Sequence, residues 1–483
     1  DDVASYLDPF AIGDQDEHAA SAAIAPSDIS QLRAILAIAN KYRVPLWPVS
    51  MGKNFAYGTA APRLRGAVVL DLKRMNRVIE VNEKLGYAVV EPGVSFFDFK
   101  AELDKRGGAL WMSGPAHSWG SVIGNALEHG VGYTPYGRHA GMICGMEVML
   151  ADGSLVRTGL GSSEGTQEWQ CYKWPFGPSW DGVFTQSNFG IVTKMGIWLM
   201  PQPAGMAGVS ISVPGRDDLA ALVETLRPLR LDDTINAPYT IANGWRQISS
   251  GRLRSDAYDG PGAIPAARVG DLLARDGDGW WSVIFNLFDR PAALDIRLDA
   301  IRSAFATSLP GAKIDVRRWA RGEPLQAWMR QDLSLGPLGT VNWHGGPGGH
   351  TDFGPIIAPV GERVSQVYGL IEKRFIEHGV DPWVGMFGMG GRAIVMVADL
   401  FYNRDDAEMT TRCRTLFRIL CKDMADIGIG LYRSHISFMD DAAAMQGWND
   451  GAFGGPNRRF KALVDPNGII APGKQGIWPE KKE

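Results

Sequence analysis

The chain has 483 residues, 45% of them hydrophobic and 21% charged, and a formal net charge of −4 at pH 7. That length exceeds one ordinary hydrophobic core and predicts two domains, while the balanced composition excludes disordered and fibrous classes. Acid and base are interspersed without a Lys/Arg block, which argues against nucleic acid or an anionic membrane as partner and leaves a small molecule.

The first helix is expected in SDISQLRAILAIANKY, started by a Ser27/Asp28 cap, with apolar residues at Ile29, Leu32, Leu36 and Ala39. VPLWPVS and, from Gly66, GAVVLDL read as strands, so strand and helix alternate as in α/β layering. YAVVEPG reads as a further strand, SFFDFKAELDKRGG as a helix closed by Gly107 and Gly108, and GMEVMLADGSLVRTG as two strands joined at Asp152-Gly153. Residues 1–205 are expected to form this first domain. After WLMPQP the texture changes to an irregular Gly-, Asp- and Arg-rich stretch, strands such as WWSVIFNLF and long helices such as GERVSQVYGLIEKRFIEHG. Residues 206–430 therefore read as a second domain, an antiparallel sheet covered by helices. The tail, 431–483, carries LYRSHISFMD and DPNGIIAPGKQGIWP, short irregular elements expected to return to the first domain.

Apolar runs are broken before the roughly 18 residues that a membrane helix needs. The opening DDVASYLDPF has neither a charged nor an apolar targeting region, which leaves the compartment open. Four cysteines without CxxC spacing supply neither zinc nor attached haem, and Cys413 and Cys421 read as core thiols, with a redox pair as the alternative. The eight histidines are scattered and show no metal-binding cluster.

Three stretches carry chemistry. In PVSMGKNFAYGTAAP, Gly52 and Gly58 let backbone amides turn toward an anion while Lys53 and Asn54 add donors, which suits a pyrophosphate; an ordinary glycine turn is the alternative. GPAHSWGSVIGNALEHGVGYTPYGRH, Gly114 to His139, is dense in small residues that let a planar ring lie against backbone, and PFGPSWDGVFTQSNFGIVTKMGIWLMP shares this character. No strand is followed by GxGxxG, so a Rossmann site is unsupported.

NFAYG, GVGYTPYG, SNFGIVTK, YRSH and DPNGIIAPGK, in this order, closely resemble the p-cresol methylhydroxylase and vanillyl-alcohol oxidase family of flavoproteins. The resemblance spans nearly the whole chain and is weakest between about residues 205 and 335. It implies an α+β fold: an FAD-binding domain of two α/β parts and an antiparallel-sheet cap domain covered by helices. It implies FAD, held by residues drawn from Pro48, Ser50, Gly52, Lys53, Asn54, Phe55, Pro115, Gly120, Ser121, Asn125, Gly132, Gly190, Ile191, Val192, Arg433 and Lys474. It also implies that Tyr57, Tyr432 and Arg433 hold a phenol substrate as its phenolate, that Tyr133 contacts substrate or flavin, and that hydride leaves the benzylic carbon for flavin N5, giving a p-quinone methide. O2 or a c-type cytochrome would accept the electrons, and the chain would form a homodimer.

The sequence departs from the family at three places. An aspartate expected near flavin N5 is Ala116, leaving His117 as a candidate acid or base, or as a core hydrogen-bonding group. The flavin-linking position in AIVMVADLFYN falls on Val395 or Met396, and Phe10 and Ala11 replace the partner histidine, so non-covalent FAD is expected. The glutamate before the Tyr-Arg pair is Leu431, which implies a less polar pocket. The alternatives are an FAD-linked 2-hydroxy-acid dehydrogenase and a flavin-binding subunit without turnover.

Overall fold

The computed structural model describes residues 2–326, 329 and 339–480. It divides into two compact units: unit 1 takes the chain up to Gly132, then Arg138–Pro201 and the tail from Ser434, whereas unit 2 takes Tyr133–Gly137 and Gln202–Arg433.

In unit 1, β1 (Ala22–Ile24), β2 (Leu46–Val49) and β3 (Val68–Asp71) form a parallel sheet in the order β1-β3-β2. The helix Ile29–Tyr42 makes the crossover from β1 to β2. It starts where the Asp28 carboxylate accepts the Gln31 amide at 2.9 Å. Its Leu32, Leu36 and Ala39 face is buried in one core with Leu46, Val69 and Leu70, as the apolar spacing predicts.

A second layer contains β4 (Val78–Asn82), β5 (Tyr87–Val90), β7 (Ile143–Met149), β8 (Leu155–Arg157) and β9 (Ile191–Trp198), in the order β4-β5-β9-β7-β8. Short β6 (Leu110–Trp111) and β10 (Met200–Pro201) pair separately. The helix Phe96–Lys105 begins with a reciprocal Ser95/Asp98 capping box and packs Phe96, Phe99 and Leu103 against Val90, Met146 and Val192.

The tail contains a helix, Gly454–Val464, that its sequence did not announce. Lys461, completely buried on that helix, donates 2.7 Å hydrogen bonds to the carbonyls of Asn188 and Ile470 and pairs with Asp465 at 2.7 Å. Asn188 in turn donates to the carbonyls of Ala471 and Ile477. One buried ammonium thus stitches the SNFG turn to DPNGIIAPGK.

Unit 2 is built on an eight-stranded antiparallel sheet: β11 (Gly205–Val213), β12 (Tyr239–Ala242), β13 (Trp281–Asp289), β14 (Lys313–Ala320), β15 (Gly348–Phe353), β16 (Ile356–Ile357), β17 (Trp383–Gly388) and β18 (Ile394–Asn403). The order is β14-β11-β13-β12-β17-β18-β15, with β16 also on β18. Amphipathic helices Leu219–Leu231, Pro291–Ser308, Gly361–Glu377 and Ala407–Asp426 bury their apolar stripes. Cys413 and Cys421 lie on the buried stripe of the last of these, and burial pushes the Cys413 thiol up to about 12, the behaviour of core thiols. Among the described residues no helix is long and apolar enough to cross a membrane.

Candidate functional site

In unit 1 the loop after β2 changes hand repeatedly: Gly52, Ala56, Gly58 and Thr59 all have positive φ, at 59°, 67°, 102° and 56°. Two of these are not glycine, so the loop stores strain that its surroundings must hold. Tyr57 and Thr59 amides donate to the Asn54 carbonyl at 3.2 and 3.1 Å, and Ala61 to Gly58 at 2.9 Å. Gly58 admits no side chain, since a Cβ there would lie 2.6 Å from Ile436. Tyr57 is buried, Lys53 exposed, and Asn54 and Phe55 half-buried.

Beside this loop stands the N-terminus of the helix Val122–Leu127, where Ser121 accepts the Gly124 amide at 3.1 Å and donates to the Pro92 carbonyl at 2.6 Å. A Cβ on Gly124 would meet Ser50 Oγ at 2.5 Å, and one on Gly132 would meet Ser113 Oγ at 2.3 Å. Loop and helix start therefore approach as backbone, which leaves a cradle that a side chain would fill. The hydroxyls of Ser113 and Ser118 are buried with no hydrogen-bond partner among the described residues. Such orphaned donors beside a turned, glycine-lined backbone fit the polar edges and phosphates of FAD. Neither serine was singled out from the sequence, where Ser118 is one small residue among many in the Gly114–His139 stretch and Ser113 directly precedes it.

Other expected FAD residues have partners within the protein. Asn125 holds His139 Nδ1 at 2.5 Å, Lys474 pairs with Glu128, and Gln475 donates to that carboxylate at 3.2 Å. The Gly120 carbonyl accepts the Phe96 amide at 3.1 Å, Pro115 is buried and Pro48 lies within β2. Gly190 packs on Val148, and Ile191 and Val192 open β9 as buried residues. His117 is half-buried with its ring edge-on to Phe55, centroids 5.0 Å apart.

Behind the Tyr57 loop lies a pair that sequence reading missed. His435 Nε2 meets Asp8 Oδ2 at 3.0 Å, both buried, and Thr59 donates to Asp8 Oδ1 at 2.7 Å. Burial alone would raise the Asp8 carboxyl, but the hydrogen bond and charge of His435, aided by Thr59 and Phe10, hold it below its usual value.

In unit 2, Tyr432 is fixed by its backbone. Its amide donates to the Gly354 carbonyl at 2.7 Å, next to the Pro355–Leu431 bridge, and the Met396 amide of β18 donates to Pro355 at 3.0 Å. Arg433 folds back over its neighbour, with its guanidinium 4.6 Å from the Tyr432 ring centre and Nη2 donating to the hydroxyl oxygen at 2.7 Å. Tyr133 is within electrostatic reach of both Tyr432 and Arg246; burial raises its hydroxyl, which stays a protonated donor at neutral pH.

Although the histidines look scattered in sequence, β15 and β18 bring His350, Asp352 and Asp399 together, with their ligand atoms within 4.8 Å of one another. Asp352 is directly opposite Asp399 in the ladder. Burial, then Asp352, pushes the Asp399 carboxyl well above the usual range. A protonated carboxyl near the Arg246 cation is a poor cation ligand.

Comparison with known proteins places these features in one class, an oxidoreductase fold built to hold FAD. A family model for an FAD binding domain matches residues 20–159. The flavoprotein subunit of a hydroxylating 4-cresol dehydrogenase from Pseudomonas putida is 34% identical over 471 residues, covering 95% of this chain and 88% of that protein. The solved 4-ethylphenol oxidase from Gulosibacter chungangensis is 35% identical with a TM-score of 0.94, covering 99% of this chain and 93% of that one. A p-cresol methylhydroxylase structure gives 32% and 0.92 with the same coverage. The chain belongs to the p-cresol methylhydroxylase and vanillyl-alcohol oxidase family and is an FAD-dependent oxidoreductase. By contrast, a glycolate oxidase subunit from Bacillus subtilis matches over only 38% of the chain, so whole-chain similarity does not favour the 2-hydroxy-acid alternative.

Proposed function

We propose that the protein oxidises para-alkylated phenols at the benzylic carbon, the side-chain carbon attached para to the hydroxyl, through a p-quinone methide that water attacks or that loses a proton. The observation that carries this reading is the Tyr432–Arg433 pair. A phenol with a pKa of ~10 is mostly neutral at pH 7, so its anion must be favoured by the protein. Arg433 supplies a cation, and by donating to the Tyr432 oxygen it polarises that hydroxyl into a stronger donor toward a phenol oxygen. Tyr57 is the third residue that the resemblance assigns to the phenolate, and Tyr133 adds a protonated hydroxyl. The phenolate then pushes electron density toward the para carbon; bound FAD supplies the hydride acceptor. The substrate class is supported by the names of the whole-chain relatives, a 4-cresol dehydrogenase and a 4-ethylphenol oxidase.

FAD is held without a covalent bond in this reading, since Val395 and Met396 offer no nucleophile. His117 is retained as the acid or base that stands in for the acid missing at Ala116. The protein acts as a homodimer and passes electrons to O2 or a c-type cytochrome. Oxygen-free stopped-flow mixing with 4-ethylphenol and with its methyl ether tests the reading. We expect the phenol to bleach the flavin at least tenfold faster, because the ether cannot ionise; equal rates would sink phenolate activation.

A further inference from the structure

Arg246 lies on the short helix Gly244–Ile248 of unit 2, which Asn243 caps by accepting the Arg246 amide at 3.1 Å. Its guanidinium lies over β17, 4.5 Å from the Trp383 ring centre and 5.8 Å from that of Phe387. These two aromatics flank Gly385 on one face of the strand. A Cβ on Gly385 would fall 1.7 Å from Arg246 Nη1, so only glycine leaves room for the guanidinium over this face of the strand. In the ladder Trp383 is opposite Asp399, and Asp399 is opposite Asp352, so arginine, tryptophan and two carboxyls form a row across one sheet face.

This held cation lacks a direct partner. Nη1 is buried without a hydrogen-bond acceptor, and no carboxylate of the described residues approaches the guanidinium within ion-pair distance. Two carboxyls placed directly opposite each other do not both ionise. The pair therefore neutralises Arg246 only in part and from a distance. Leaving a charged donor desolvated and unpaired is costly, and the planar fork of a guanidinium matches a planar, two-oxygen acceptor. Tyr133, in electrostatic reach of both Arg246 and Tyr432, links this subsite to the phenolate pair within the same unit.

We propose that Arg246 binds a carboxylate at the far end of the para side chain, so that the protein prefers 4-hydroxyphenyl-alkanoic acids to alkylphenols ending in methyl. The preference rests on the phenol-oxidation reading above. It is tested on the FAD-loaded protein by oxygen-free stopped-flow titration with 3-(4-hydroxyphenyl)propanoate and 4-propylphenol, taking an apparent Kd for each. In the native protein the acid should bind at least tenfold more tightly. In Arg246→Leu the ratio should fall to one or reverse, whereas Arg246→Lys, which keeps the charge, should still favour the acid. A ratio, unlike a single affinity, is insensitive to partial misfolding. Equal or tighter binding of 4-propylphenol by the native protein, or an unchanged ratio in Arg246→Leu, overturns the carboxylate subsite alone. Failure of both phenols to bleach the flavin overturns phenol oxidation and this inference with it.

Discussion

Arg433 and Tyr432 are sequence neighbours whose side chains meet, the guanidinium over the ring, and this explains why the motif YRSH is legible without a structure: the contact is local. Replacing Arg433 by leucine removes the cation and the 2.7 Å bond to the Tyr432 hydroxyl together. A charged hydrogen bond in a desolvated pocket is typically worth about 2 to 5 kcal/mol, against less than about 1 for an exposed ion pair. Phenol affinity and flavin bleaching rate should therefore both fall in Arg433→Leu, so that the bleaching rate divided by the phenol Kd drops at least about thirtyfold. A variant within twofold of the native protein would make Arg433 a surface residue in effect. Asp8 and His435 were illegible for the opposite reason: 427 residues separate them, and neither motif hints at the other. Ser118 lies inside a recognised stretch and Ser113 immediately before it, but only the structure shows that these two hydroxyls lack a partner among the described residues.

At the scale of elements, periodicity recovered what depends on neighbours in sequence. Ile29–Tyr42 and Gly361–Glu377 follow from their apolar spacing, and the cap sheet from its short alternating strands. Register across strands was beyond reach, because opposing Asp352 to Asp399, or Trp383 to Asp399, takes a sheet order in which β17 and β15 flank β18. The helix Gly454–Val464 was missed because Gly454, Gly455 and Pro456 read as loop punctuation and because its one fully buried side chain is a lysine, with Phe460 and Val464 only partly buried against the core. That lysine gives a test. Lys461→Met should unfold at markedly lower denaturant than the native protein, since breaking a buried pair costs about 3 to 5 kcal/mol. Asp465 would be left buried, although the Ile469 and Ile470 amides still donate to it. An unchanged urea midpoint would mean that the tail is held without Lys461.

For the molecule as a whole, acid should be the sensitive direction, and His18 shows why. Its Nδ1 faces the Arg63 carbonyl at 3.2 Å, which only accepts, so Nδ1 carries the proton; Nε2 then accepts from the Ser437 hydroxyl at 3.0 Å. Both bonds suit a neutral ring. Burial, reinforced by the nearby charges of His435 and Arg63 and opposed by Glu17, lowers its pKa from 6.5 to about 4. In unit 2, burial lowers His344 to about 4 as well. A histidine depressed on folding binds more protons in the unfolded chain than in the native one between those two values. Stability is then full above pH 6.5 and falls as the pH drops toward 4, by up to about 3 kcal/mol for His18 alone. The lowered Asp8 carboxyl adds a further loss only below its unfolded value near 3.8. Urea midpoints of the FAD-loaded protein from pH 7.5 to 4.5 should therefore decline, and His18→Gln, whose amide can serve the same two partners without titrating, should decline less steeply. If the two curves run parallel between pH 6.5 and 4.5, His18 keeps an ordinary pKa in the native state and acid lability must come from elsewhere.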